Sequence, residues 1–240
     1  GRNLARALTN NKFITDLNLN DNYIVHELGE FLMTILSYNN ITSISLRSTK
    51  ISSEMVTVLS QDLKLNKVKL RYLNLSRNKI SSDAMVALIE ALEDNTTLRN
   101  LDLSDTAAGQ IGRELAKSLE KNNKLKILNL SNCNIRVNVV NALENALRTN
   151  DTLSDLDLSY NSCSMSNLLK ALETNSSLTK LDIGHRDFHL EEVEALANAL
   201  KINNTLTHLY ISKTMDDPEI GYALFEALEV NKRLTDLDLK

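Results

Sequence analysis

Apolar and polar residues alternate along this chain in short runs, and the same run returns nine times. The pattern L-x-x-L-x-L-x-x-N-x-I stands as Ile14-Leu17-Leu19-Asn22-Ile24 and as Leu70-Leu73-Leu75-Asn78-Ile80. Aligned on its first apolar residue, it begins at Ile14, Ile41, Leu70, Leu98, Leu125, Leu153, Leu178, Leu206 and Leu234, in steps of 27, 29, 28, 27, 28, 25, 28 and 28 residues. Within each run, period two places the leucines on one face of a strand and polar residues on the other. After it comes a helical pattern, as in Met85, Leu88, Ile89 and Leu92, with Ser81, Ser82 and Asp83 available as helix caps. One strand and one helix per unit, at a period near 28, predict an α/β solenoid with a parallel sheet on its concave face and helices on its convex face.

Other residues recur with the period and so belong to the fold. Asn78 is placed to bond turn backbone as the chain leaves the strand, and its equivalents are expected to stack as a ladder. A second asparagine, three residues before the next strand leucine, recurs at Asn11, Asn95, Asn122, Asn150, Asn175, Asn203 and Asn231. It suits a left-handed helix C-cap. Four glycosylation sequons, at Asn95, Asn150, Asn175 and Asn203, fall on this position and follow from the repeat. Asp217-Pro218-Glu219 fits a helix start.

The helical half of the repeat carries a resemblance. Leu115-Ala116-Lys117-Ser118-Leu119-Glu120-Lys121-Asn122 and Leu196-Ala197-Asn198-Ala199-Leu200-Lys201-Ile202-Asn203 follow L-A-x-A-L-x-x-N. With the strand consensus, this is similar to the ribonuclease-inhibitor-like class of leucine-rich repeats, which includes ribonuclease inhibitor, NLR receptor sensor regions, Ran GTPase-activating protein, and bacterial and protist repeat proteins. The resemblance covers essentially all of residues 1–240, implies a single horseshoe domain, and says little about function. Repeat six, from Leu153 to Ser177, is three residues short between Ser162 and Ser166, so a shorter helix or altered curvature is expected there.

Composition narrows the function classes. Aromatics are only 4% and Trp is absent, which suits many equivalent aliphatic layers. One Pro and six Gly leave no linker, so a single repeat domain is expected. Residues 2–10 look like the tail of an earlier repeat's helix and Leu234–Lys240 like a strand without its helix, which suggests a fragment of a longer protein. A net charge of −4 argues against nucleic acid as partner, and no apolar run is long enough to insert in a membrane. Cys133 and Cys163 are expected to be buried free thiols, which favours the cytoplasm.

No phosphate loop, zinc-protease motif or serine elbow occurs, so no enzyme, cofactor or metal is expected. His185 and His189, with Asp187 and Glu191, read as a solvated loop. The residues the repeat does not require are the informative ones. The third position carries Tyr72, Ile127, Asp155 and His208, and the fifth carries Asp102, Asp157, Asp182 and Tyr210, all on the concave side. Tyr160 and His185 stand at strand edges. Asp155, Asp157 and Asp182 on consecutive strands, beside aromatic anchors, suit a basic protein partner. A protein-interaction module using this surface is the leading expectation. The alternatives are a GTPase-activating or other regulatory protein, which the Ran-activator resemblance implies, and a structural scaffold contacted on its convex helices.

Overall fold

A computed structural model describes residues 8, 11–24, 32, 35–36, 40–211 and 218–239, without the side chains of 218–220. Nine three-residue strands form one parallel sheet in sequence order: β1 Asp16–Asn18, β2 Ser43–Ser45, β3 Tyr72–Asn74, β4 Asn100–Asp102, β5 Ile127–Asn129, β6 Asp155–Asp157, β7 Lys180–Asp182, β8 His208–Tyr210 and β9 Asp236–Asp238. Each strand starts two residues after the first apolar residue of its repeat. Between them lie the described helices α1 Ser53–Lys64, α2 Ser82–Ala91, α3 Gly112–Lys121, α4 Val137–Thr149, α5 Ser166–Ala171, α6 Leu190–Ile202 and α7 Pro218–Val230. The chain is therefore an open leucine-rich-repeat solenoid.

The core is a stack of aliphatic layers. Leu70, Leu73 and Leu75 are fully buried, as are Leu98, Leu101 and Leu103 one repeat later. Met85, Leu88, Ile89 and Leu92 close the layer from the helical side. The Ser81 hydroxyl accepts from the Ala84 N–H at 3.4 Å, starting α2 as its sequence suggests. Gly112 allows α3 to lie close on α4, since a Cβ there would stand 2.8 Å from the Val139 Cα. Asp217 lies outside the described residues, as do the side chains of Pro218 and Glu219 and, apart from Leu8, residues 2–10.

The two asparagine positions differ from the sequence expectation in instructive ways. Asn78 donates to the carbonyls of Leu46, Leu75 and Ser76 and accepts from the Thr49 N–H, and Asn161 plays the same part three repeats later: it donates to the carbonyls of Leu130, Leu158 and Ser159 and accepts from the N–H groups of Cys133 and Ile135. The expected continuous ladder is broken, because Thr49, Thr106, Cys133 and Arg186 occupy the same position in other repeats. The pre-strand asparagine is not left-handed: Asn122, Asn150 and Asn203 have φ of −75°, −74° and −65° with extended ψ. Its side chain instead forms an unbroken second ladder. Asn95, Asn122, Asn150, Asn175, Asn203 and Asn231 each donate to a helix-end carbonyl of the preceding repeat, at 2.6–2.8 Å. Four of these six amides, those of Asn95, Asn150, Asn175 and Asn203, are the would-be glycosylation acceptors, and they are spent inside the fold.

Left-handed backbone falls on the eighth position of every repeat described there, and in addition on Lys50, Asn134 and, just past the end of α1, Asn66. Asp21, Ser48, Arg77, Asp105, Asn132, Tyr160 and His185 have φ between 51° and 58°, none of them glycine. Repeat six has the six-residue helix α5, against ten to thirteen in its neighbours, as its missing residues suggested. The shortened turn leaves Cys163 half-buried rather than inside the core, while Cys133 is fully buried; both are free. Burial pushes both thiols above the ordinary cysteine range.

Candidate functional site: the concave strands and their rims

Strand register brings the expected residues into two rows. Tyr72, Asn100, Ile127, Asp155, Lys180 and His208 succeed one another along one row, and Asn74, Asp102, Asn129, Asp157, Asp182 and Tyr210 along the other. Tyr160 and His185 stand beyond the strand ends, at the left-handed turn position. There they stack on each other, ring centroids 4.1 Å apart and planes 7° from parallel. Both are exposed.

The fifth-position row has a structural duty that period two does not reveal. The side-chain oxygen of Asn74, Asp102, Asn129, Asp157 and Asp182 accepts the backbone N–H two residues on, at 2.8–3.0 Å. Asn serves this turn as well as Asp does. Only the second carboxylate oxygen is surplus to the fold. In Asp102 that oxygen accepts from Asn74 Nδ2 at 2.9 Å, and Asn74 also donates to the Tyr72 hydroxyl at 3.2 Å. Tyr72 and Asp102 thus belong to a local polar network over β3 and β4. Ile127 is half-buried beside them.

The three aspartates expected to pool their charge do so only in part. Lys180 pairs with Asp155 at 3.3 Å and lies 5.7 Å from the Tyr210 ring centroid. That neutralises Asp155 and leaves Asp157 and Asp182 as adjacent half-buried carboxylates. The His208 ring bonds Thr207 Oγ1 at 2.8 Å and is turned to its own strand. Burial raises the Asp182 carboxyl above the ordinary range, opposed by the Gly184 N–H and reinforced by Asp157. A raised folded value means that the charged form is disfavoured in the fold. The destabilisation is present above that value and absent below the ordinary 3.8, where the acid is protonated folded and unfolded alike. Asp182→Asn is therefore expected to stabilise the protein at pH 7, and thermal melts should show the gain fading as pH falls through the raised folded value towards 3.8. An equal gain at pH 3 and pH 7 would contradict this account.

The convex face is different, because its charges answer one another. Glu93 lies between Lys121 and Lys117 at 2.7 and 2.9 Å, and these hold its carboxyl below the ordinary range. Arg148 pairs with Glu144, and Lys64 with Asp94. Around His185 and His189, Arg186 and Glu192 are buried and 2.8 Å apart, a pairing that the sequence reading of this loop missed. Among the described residues, no helix is long and apolar enough to cross a membrane and no cluster has the composition of a metal site.

A model of leucine-rich repeats matches residues 66–88 and a second matches residues 124–146. Over 136 residues the chain is 31% identical to mouse NACHT, LRR and PYD domains-containing protein 12, and over 137 residues 32% identical to the human protein of that name. The bovine NACHT, LRR and PYD domains-containing protein 3 is 30% identical over 135 residues. These matches take in 55–56% of this chain and 13% of each relative, so the matched stretch spans about an eighth of their length. Among solved structures, a tropomodulin C-terminal domain of Caenorhabditis elegans superposes with a TM-score of 0.51 at 18% identity, covering 62% of this chain and 92% of that one. The shared feature is the fold.

Proposed function

Because the chain is a leucine-rich-repeat solenoid whose repeats resemble those of NLR proteins, we propose that it is a protein-interaction module. In this reading a basic segment of a protein ligand lies across β6–β8 of the concave sheet. The observation that carries it is the pair Asp157 and Asp182. They are register neighbours, half-buried, at a position where Asn would make the same turn without the charge. Keeping Asp182 charged there, half-buried and beside Asp157, costs stability, which binding sites characteristically do. Beside them, the exposed Tyr160–His185 stack offers a flat aromatic surface to a guanidinium or an aliphatic stem. The module binds without catalysing, and it works in the cytoplasm, where its thiols stay reduced.

Two fold-preserving variants test the reading. Asp157→Asn with Asp182→Asn keeps the turn bonds and removes the charge. Tyr160→Asn with His185→Asn removes the stack and places at both turns the residue that Asn132 already supplies in repeat five. Affinity capture from the source cell is expected to recover a ligand with the unaltered chain and at least ~10-fold less with either variant, the effect of ~1.5 kcal/mol or more of charge-assisted contact. Full retention by both variants would remove the concave site from consideration.

A further inference from the structure

The second position of each repeat, just before the strand, has a default occupant. It is Thr15, Thr42, Ser154, Thr179, Thr207 and Thr235 in six of the nine repeats. The hydroxyls of Ser154, Thr179, Thr207 and Thr235 each donate to the carbonyl of the second-position residue one repeat earlier, at 3.1, 3.0, 3.0 and 3.1 Å. Three successive repeats depart from this: Arg71, Arg99 and Lys126. Their backbones stay in the same ladder, with Arg99 N–H on the Arg71 carbonyl at 2.8 Å and Lys126 N–H on the Arg99 carbonyl at 2.7 Å. The three cations therefore leave neighbouring strands about 4.8 Å apart. Lys69 and Lys124 stand two residues before Arg71 and Lys126 and widen the strip. Arg99 bonds the carbonyls of Thr96, Thr97 and Leu98. None of the five forms an ion pair among the described residues, and Asp62 and Asp94, at nearby helix ends, are held by Lys67 and Lys64.

Each of these three substitutions gives up a hydroxyl bond that the fold uses elsewhere, and like charges on adjacent strands repel. The solenoid does not ask for them. We propose that the rim before β3–β5 docks an acidic segment, rich in Asp and Glu, of a protein partner. Charge complementarity selects an anion, and the surroundings select its kind. Three strands span only about 10 Å, whereas duplex DNA carries a charge every ~1.7 Å of axis and gains affinity through many phosphates. Asp102 and Asp157 on the adjoining sheet and the net charge of −4 disfavour a long phosphate backbone that runs on past the strip. A short peptide with a few carboxylates fits within it. This surface lies on other repeats than the Asp157–Asp182 site and stands or falls separately from it.

The test is fluorescence anisotropy of labelled octaglutamate at 50 mM salt. Arg71→Thr/Arg99→Thr/Lys126→Thr restores the default residue at all three positions, so its melting temperature is expected to equal or exceed that of the unaltered chain. Its affinity should fall at least ~10-fold, since three exposed charge contacts at ~0.5 kcal/mol each amount to that factor. Lys170→Thr/Lys201→Thr/Lys232→Thr makes the same change in net charge away from the rim and should stay within about twofold of the unaltered chain. Equal losses in the two triple variants, undiminished binding by the rim variant, or no binding by the unaltered chain at millimolar peptide would overturn the proposal. So would tighter binding of a twelve-nucleotide single-stranded DNA than of the peptide.

Discussion

Asn161→Ala is expected to cost about 3–5 kcal/mol, among the largest single-residue effects in the chain. Asn161 is completely buried, and its amide serves five backbone groups at once. Three are the carbonyls of Leu130, Leu158 and Ser159, and two are the N–H groups of Cys133 and Ile135. Alanine leaves all of them buried without a partner, each at a cost of order 1 kcal/mol after relaxation. Asn123→Ala, at an exposed position, should cost less than about 0.5 kcal/mol. Urea unfolding followed by circular dichroism measures both. There is also a qualitative consequence. Leu130, Cys133 and Ile135 lie in repeat five and Asn161 in repeat six, so the amide ties the first five repeats to the last four. In a chain held together by nearest-neighbour contacts, weakening one interface divides the cooperative unit. The variant is expected to unfold in two resolved transitions. A single transition with a shift under 1 kcal/mol would show that water or a neighbouring side chain replaces the amide.

The parts of this structure that the sequence discloses are those with a period. Leucine spacing placed the nine strands and their inward faces, and period two separated the concave rows containing Tyr72, Ile127, Asp155 and His208 from those containing Asp102, Asp157, Asp182 and Tyr210. Less legible were features made by contacts some 28 residues apart. Asn122 resembles a left-handed cap by local preference, yet it is extended, because its side chain must reach Leu92 in the repeat before. The residues that are left-handed, such as Arg77, Tyr160 and His185, carry no glycine to announce them. Their conformation follows from the position in the repeat, where the chain must turn from strand to helix whatever side chain is present. The pairing of Asp155 with Lys180 could have been read from the register, since both are third-position residues of adjacent strands. The basic rim was legible too. Its signal is the departure of Arg71, Arg99 and Lys126 from a Thr/Ser default, visible only when the repeats are aligned on one another.

Glu192→Ala is expected to be as damaging as the loss of Asn161, for a reason rooted in the short sixth repeat. That repeat lacks three residues just before α5, and Met165, at the N-cap, makes no side-chain capping bond. Glu192 supplies it from the following repeat: its Oε1 accepts the Met165 N–H at 2.7 Å, and its Oε2 accepts the His189 N–H at 3.1 Å, at the start of α6. Arg186, in the ladder position where Asn78 and Asn161 stand in other repeats, brings Nη2 to 2.8 Å from the same Oε1. That nitrogen is off the hydrogen-bond line, so the contact is ionic. The guanidinium is otherwise held by the Ile183 and Asp187 carbonyls and lies 4.4 Å from the Phe188 ring centroid. Removing the carboxylate strands a buried cation and uncaps two helices, which should cost about 3–5 kcal/mol. Glu192→Gln keeps an acceptor oxygen for only one of the two N–H groups, sets its NH2 against the other and loses the charge, so about 1–3 kcal/mol is expected. Adding Arg186→Leu to Glu192→Ala separates the two causes. If the unpaired cation dominates, the double variant is more stable than Glu192→Ala alone; if the caps dominate, it is no better. A Glu192→Ala cost below 1 kcal/mol would mean that the shortened repeat holds its helix by packing alone.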